Sequence, residues 1–425
     1  MYQVENSGDL LKNKRRHLSS RVNWLSVGRT VFLLGLTSLL TDISAEMVST
    51  TLPIYLLVTL HFSPIQVGII DGLYQGAAVF VKLISGIVSD RWRRPKEVAA
   101  AGYAFSAICK LGFLVVGGSW TGLSGVILLD RIGKGIRTAP RDAMIAASST
   151  PEQMATAFGV HRALDTAGAM LGPLLAVTVL MLAPDAYDAV FVVSLCIAII
   201  GLAVIALFVN NPTEPVNAPQ GTISFQEVWR LLLQPHFRTL VIIGSGLALA
   251  TVSDSLIYLT LQRRLLISNG AFPLLYVLTA LVYMLLAIPA GRLADQVGRK
   301  RVFLIGYGLL GAVYGLLLLP QMNYVIATSL LLLLGLYYAA TDGVLMAVAS
   351  RILPEHLRAT GLSVLTTGTG LARLLASTLY GALWSWYGAS QALTLFTVGL
   401  LSMVVLAFLM IRQMDGKGVE HGAHA

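Results

Sequence analysis

Ionisable side chains stand at helical spacing inside otherwise apolar runs. The stretch LLDRIGKGIRTAPRDAMIAASS, residues 128–149, carries Asp130, Arg131, Lys134, Arg137, Arg141 and Asp142. On a helix of 3.6 residues per turn, Asp130, Lys134, Arg137 and Arg141 share one stripe. Arg131, Thr138 and Asp142 fall on the next, and Leu129, Ile132, Ile136 and Ala143 fill the remaining face. Such charges are tolerated where they face a protein interior or a wet cavity. An earlier run carries Asp42 and Glu46 one turn apart. Two carboxylates about 6 Å apart along one helix disfavour joint ionisation, the property a proton-exchanging site needs. A cation that approaches in one conformation and withdraws in another would drive protonation and release. Asp42, Glu46, Arg131 and Lys134 are therefore the expected proton-coupling set, with permanent Asp42–Arg131 and Glu46–Lys134 pairs as the alternative.

Other charges fall in neighbouring runs: Asp71, Lys82, Lys110, Arg162 and Asp165. Acidic and basic residues nearly balance, which predicts mutual pairing, because an unpaired buried ion costs several kcal/mol. At a rise of 1.5 Å per residue, Asp71, Lys110 and Asp130 reach one depth. Lys82, Arg137 and Asp165 reach another. Two clusters are expected, with the proton-coupling set between them.

The elements that must position these groups follow from composition. Hydrophobic residues make up 56% of the 425 and charged residues 12%, about half the charged share of a soluble domain. A membrane-spanning helix needs about 20 mostly apolar residues. Twelve runs qualify: 30–59, 65–89, 97–118, 122–147, 157–183, 187–209, 238–262, 272–290, 302–320, 324–350, 359–385 and 389–411. Lipid cannot satisfy an open backbone, so these are expected as helices. The alternating pattern of a membrane barrel is missing. Lys and Arg gather on alternate connections, at 12–29, 91–96, 230–238, 299–301, 351–358 and 412–417, while the opposite loops hold only Arg263 and Arg264. This bias predicts both termini on the cytoplasmic side of a multi-pass protein of the inner (cytoplasmic) membrane. It also gives the net charge of +9 a cause other than nucleic acid. Cys109 and Cys196 lie in apolar runs and form no disulfide or zinc pattern.

The polar stretch after residue 209 reads as a linker. The expected organisation is a tail at 1–29, a six-helix bundle at 30–209, a linker at 210–237, a second six-helix bundle at 238–411 and a tail at 412–425. The halves echo each other. GIVSDRWRRPK begins at Gly86 and GRLADQVGRKR at Gly291; Pro151-Glu152 and Pro354-Glu355 recur at nearly the same separation. Two repeated six-helix bundles with a site between them are a transporter architecture.

GRLADQVGRK, residues 291–300, resembles the loop signature G-x-L-A-D-x-x-G-R-K of the major facilitator superfamily, and the resemblance covers nearly the whole chain. The first copy keeps Gly86, Asp90, Arg91 and Arg94 and departs at Val88 and Arg93. The resemblance implies a conformational latch built from Gly86, Asp90, Arg94 and Asp142, and from Gly291, Asp295 and Arg299. RIGKGIRTA, residues 131–139, resembles the R-x-x-x-G-x-x-x-A motif of proton-coupled members. GAMLGP, with Gly168, Gly172 and Pro173, is similar to the antiporter core of the drug:proton antiporter-like branch, although Val177 stands where a later Gly is usual. The alternative reading of GxxxG is close helix packing. The family arranges spans one, four, seven and ten around a central cavity. That implies Asp254, Tyr258, Tyr338 and Asp342 as substrate-cavity residues, with Arg137.

The expected function is a proton-coupled secondary active transporter that exports a small organic molecule by antiport through alternating access, as a monomer. The Arg131–Lys134–Arg137 stripe leaves uptake or exchange of an organic anion as an alternative. A metal-ion or metal-chelate carrier using Asp42, Glu46 and His161 comes third, with no HxxxH pair to support it. HExxH, GxSxG and Walker-type loops are absent from the sequence, so neither an enzyme nor direct ATP drive is expected, and no cofactor is called for.

Overall fold

A helix satisfies its own amides, and long apolar runs with few competing side chains adopt it here throughout. The computed structural model describes residues 28–77, 94–150, 153–211, 230–342, 344–354 and 357–422, and these are helices and connecting turns with no strand among them. Lys82, Gly86 and Asp90 lie outside the described residues, as do most of the linker and the first 27 residues.

The amino-terminal half contains α1 (Arg29–Ile54), α2 (64–77), α3 (Pro95–Val116), α4 (Trp120–Ala147), α5 (Met154–Leu182) and α6 (Tyr187–Phe208). The carboxy-terminal half contains α7 (Pro235–Leu249), α8 (Asp254–Leu265), α9 (Leu274–Val297), α10 (Arg299–Leu318), α11 (Tyr324–Thr341), α12 (Val344–Ile352), α13 (Arg358–Tyr387) and α14 (Ala389–Gly422). Nine helical stretches among the described residues are long and apolar enough to cross a membrane. Two more, α4 and α13, have the length, but α4 carries the charges described above and α13 is rich in Gly, Ser and Thr.

The packing repeats as the sequence does. In the first half α1 lies against α5, and α3 against α4 and α6. In the second half α7 lies against α13, and α10 against α11 and α14. Glycines set the closest approach. A Cβ on Gly168 would stand 2.5 Å from the Leu39 carbonyl oxygen, and one on Gly172 would stand 2.7 Å from Glu46 Cβ. The GAMLGP stretch thus draws α5 onto the face of α1 that carries Asp42 and Glu46.

Contacts between the halves gather away from the end where α1 begins. A Cβ on Gly68 of α2 would stand 2.5 Å from the Ser377 carbonyl oxygen of α13. The Ile65 N–H donates to Ser385 Oγ at 2.9 Å, and Asn269 Nδ2 donates to Asp185 Oδ1 at 3.0 Å.

Among the described residues, three spans are interrupted. Helix α1 passes Pro53 and loosens into a π turn at Tyr55–Thr59, the kind of local unwinding proline produces. The backbone leaves helical geometry between α7 and α8 and again between α11 and α12. A break at membrane depth must have its amides satisfied. At the first break the Tyr314 hydroxyl accepts from Val252 N–H at 2.7 Å and donates to the Ala250 carbonyl at 3.3 Å.

Candidate functional site

The charges of α4 turn inward. Asp130, Arg131 and Arg137 are each 4% exposed. Asp130 holds two cations: Lys110 Nζ donates to Oδ1 at 3.1 Å and the Arg131 guanidinium donates to Oδ2 at 2.5 Å. Arg131 also lies over the Tyr74 ring, 3.8 Å from its centroid, a favourable stacking for a desolvated guanidinium. Further along α4, Arg137 reaches Asp42 Oδ1 at 3.6 Å and sits over Tyr103 at 4.7 Å. Arg141 donates to Ser38 Oγ at 3.0 Å and to Asp142 at 2.9 Å, and Ser38 donates on to Asp165 Oδ1 at 3.0 Å. Asp42 on α1 and Asp165 on α5 lie on facing sides of the α1–α5 seam, close enough to act on each other electrostatically.

The carboxy-terminal half is aromatic where the first is charged. A cavity of about 280 Å³ is lined by Phe303, Tyr307, Tyr337, Tyr338, Thr366, Thr369, Asp342 and Arg373, and Gln75 closes it from the other half. A second cavity of about 220 Å³ shares Gln75 and lies between the halves, with Glu46, Ser49, Asp71 and Tyr74 on one side and Asp254, Ser255 and Tyr276 on the other. Both helix breaks present a carboxylate here. Asp254 opens α8 and accepts from the Tyr338 hydroxyl at 2.7 Å. Asp342 caps the C-terminus of α11 and accepts from the Tyr283 hydroxyl at 2.8 Å.

The Major Facilitator Superfamily model matches residues 34–262 and 240–423, together nearly the full chain. The chain belongs to the Major Facilitator Superfamily. An uncharacterised MFS-type transporter of Methanocaldococcus jannaschii is 34% identical over 368 residues, 84% of this chain and 89% of the relative. An uncharacterised protein of Mycobacterium tuberculosis is 25% identical over 396 residues, 90% of this chain and 91% of the relative. Among solved structures, the nucleoside transporter NupG superposes with a TM-score of 0.71 at 18% identity, over 91% of this chain and 99% of that one. A bacterial homolog of the human lysosomal transporter Spinster gives 0.70 at 16% identity, over 90% and 96%. Both show the same fold. The protein is a multi-pass membrane transporter, not an enzyme.

Within this transporter the expected charge clusters are rearranged. Asp42 meets Arg137, not Arg131, because Arg131 is turned onto its sequence neighbour Asp130. Asp71 joins neither Lys110 nor Asp130. It accepts from Ser377 Oγ at 2.7 Å, across the interface between halves. Arg162, expected inside, is exposed and reaches only Asp165 at 3.6 Å, since its position lies 100° around α5 from the buried His161. Lys134 makes no ion pair within 4.0 Å among the described residues, and Glu46 accepts from Ser49 Oγ at 2.6 Å while lining the second cavity.

Of the expected substrate-cavity residues, Tyr338 and Asp342 line the larger cavity and Asp254 the second. Tyr258 is fully buried, donates to Thr279 Oγ1 at 2.8 Å and reaches neither. Arg137 is enclosed by Asp42 and Tyr103 and also stays outside both. Arg373, which with Asp254 and Asp342 makes up the few charges inside the apolar spans of this half, stands outside the expected cavity set yet lines the larger cavity. In the latch, Asp142 is paired with Arg141, and Asp295 with Arg299 at 2.7 Å. Arg94 is exposed at the start of α3, and space around Gly291 is open. Among the described residues no three His, Cys, Asp or Glu side chains converge as a metal would require.

Proposed function

We propose that this protein is a proton-coupled secondary transporter that exports a small organic molecule by antiport through alternating access. The observation that carries the reading is a carboxylate on each side of the α1–α5 seam tied to a cation of α4: Asp42 to Arg137 at 3.6 Å, and Asp165 through Ser38 to Arg141. A carboxyl at a helix seam, next to cations on a third helix, gains or loses a proton when the seam shifts. Glu46 is the second proton carrier, placed between this pair and the cavity. Lys134 is the cation free to change partner, and Arg131 holds Tyr74 and the α4–α2 contact in place. Substrate enters the cavities of Tyr338, Asp342 and Asp254.

The twelve runs are all taken as spans, in bundles at 30–209 and 238–411, with both termini cytoplasmic in the inner membrane and the monomer as the working unit. The alternate placement of Lys and Arg supports that orientation. With α1 beginning on the cytoplasmic side, the halves touch at the outer end, so this conformation opens inward. The latch of Gly86, Asp90, Arg94, Asp142, Gly291, Asp295 and Arg299 engages in the opposite state. Outward export rests on the similarity of Gly168, Gly172 and Pro173 to the antiporter motif.

The test is flux in proteoliposomes holding pyranine, challenged with a panel of small organic acids, amines and nucleosides. At least one compound drives proton movement through the wild type and none does so through Asp42→Asn. Substrate flux indifferent to a pH gradient overturns the reading.

A further inference from the structure

Resting on the reading of the aromatic cavity as the substrate site, we propose that Arg373 is the substrate's anchor and that the transported molecule carries one acidic group on a planar apolar body. Arg373 lies midway along the 30-residue α13 and is open to the larger cavity. Among the described residues, three buried cations of the first half have acidic partners: Lys110 and Arg131 share Asp130, and Arg137 has Asp42. Arg373 has no carboxylate within 4.0 Å among the described residues and makes no hydrogen bond to them. A guanidinium at membrane depth that faces a cavity with no ion-paired carboxylate is a ready site for an anion entering that cavity. Its planar fork matches a carboxylate in a two-bond arrangement.

The walls define the remainder. Tyr307, Tyr337 and Tyr338 pack edge to face or tilted around the cavity, with Tyr307 and Tyr337 5.4 Å apart and Tyr337 and Tyr338 4.9 Å apart. Phe303 extends the same surface, 5.1 Å from Tyr307. Such walls accept a flat apolar group, and a volume of about 280 Å³ suits a ligand of one or two rings. Asp342 shares this cavity, and Glu46, Asp71 and Asp254 line the adjoining one. A single cation among four carboxyls repels a second negative charge on the ligand. The preference is therefore for a monoanion over a dianion.

The experiment measures binding to the full-length protein in detergent by calorimetry, with no gradient present. The probes are 2-naphthoate, benzoate and indole-3-acetate, the neutral 2-naphthamide, and the dianionic 2-naphthyl phosphate. The expected result is that 2-naphthoate binds about ten-fold or more tightly than either the amide or the phosphate. Arg373→Gln brings acid and amide to within about two-fold, and Arg373→Lys keeps part of the preference. Size-exclusion profiles and melting temperatures show that each variant is folded. If Arg373→Gln does not fold, the acid-to-amide ratio of the wild type and its reduction in Arg373→Lys decide the matter. Equal binding of acid and amide by the wild type overturns the proposal, as does an undiminished preference in Arg373→Gln or failure of all three acids to bind. Loss of proton coupling in liposomes would leave these ratios untouched, so the two readings fail separately.

Discussion

Tyr338 donates a 2.7 Å hydrogen bond to Asp254, joining the last turn of α11 to the first residue of α8. Each residue stands beside a helix break, so one bond spans the two least regular points of the carboxy-terminal half. A carboxyl at that depth depends on its donor. Tyr338→Phe is expected to lower stability by about 1.5–3 kcal/mol, the range for hydrogen bonds to charged groups. Thermal unfolding in detergent measures it, and an unchanged melting temperature would show that Asp254 does not need this hydroxyl.

The break before α8 relies on a second tyrosine. Tyr314→Phe leaves the buried Val252 N–H without its acceptor, a loss of about 1–3 kcal/mol. Hydrogen exchange at residues 250–254 should accelerate in this variant more than exchange in α10 does.

Asp130 neutralises both Lys110 and Arg131. Asp130→Asn strands two buried cations, and breaking even one such pair costs about 3–5 kcal/mol. The variant is expected to aggregate or melt well below the wild type. Fluorescence-detected size exclusion would reveal this, and a monodisperse peak of wild-type stability would refute it.

Glycine positions separate into tight and open. At Gly172 an added Cβ would meet Glu46 Cβ at 2.7 Å and the Ile43 carbonyl oxygen at 2.8 Å, whereas at Gly315 it would meet nothing within 4 Å. Gly172→Val should therefore push α5 off α1 and cut both stability and proton coupling. Gly315→Ala should be neutral or stabilising by up to about 1 kcal/mol, from helix propensity. Paired melting curves make the comparison.

Asn269 and Asp185 touch across the outer contact between halves. In a background lacking Cys109 and Cys196, the pair Asn269→Cys and Asp185→Cys should form a disulfide that stops transport, with activity restored by reductant. Full transport by the cross-linked protein would mean that this contact need not open.

Sequence reading reached the helices, the repeated halves and the inward orientation of the α4 charges. Those properties depend on periodicity and hydrophobicity, which are local. It singled out Asp42, Glu46, Asp254, Tyr338 and Asp342 because a polar group in an apolar span stands out one residue at a time. It did not find who meets whom. Stripe arithmetic treats side chains as points on a cylinder, yet an arginine reaches several ångströms along the helix axis. Arg131 could therefore fold onto adjacent Asp130 and leave Asp42 to Arg137. Asp71 found Ser377, 306 residues away, only because glycines let α2 and α13 touch. Arg373 gained its meaning from tyrosines on two other helices. The chain by itself determined which residues must avoid lipid. Helix rotation and crossing, set by the packing of many side chains at once, decided which partners they found there.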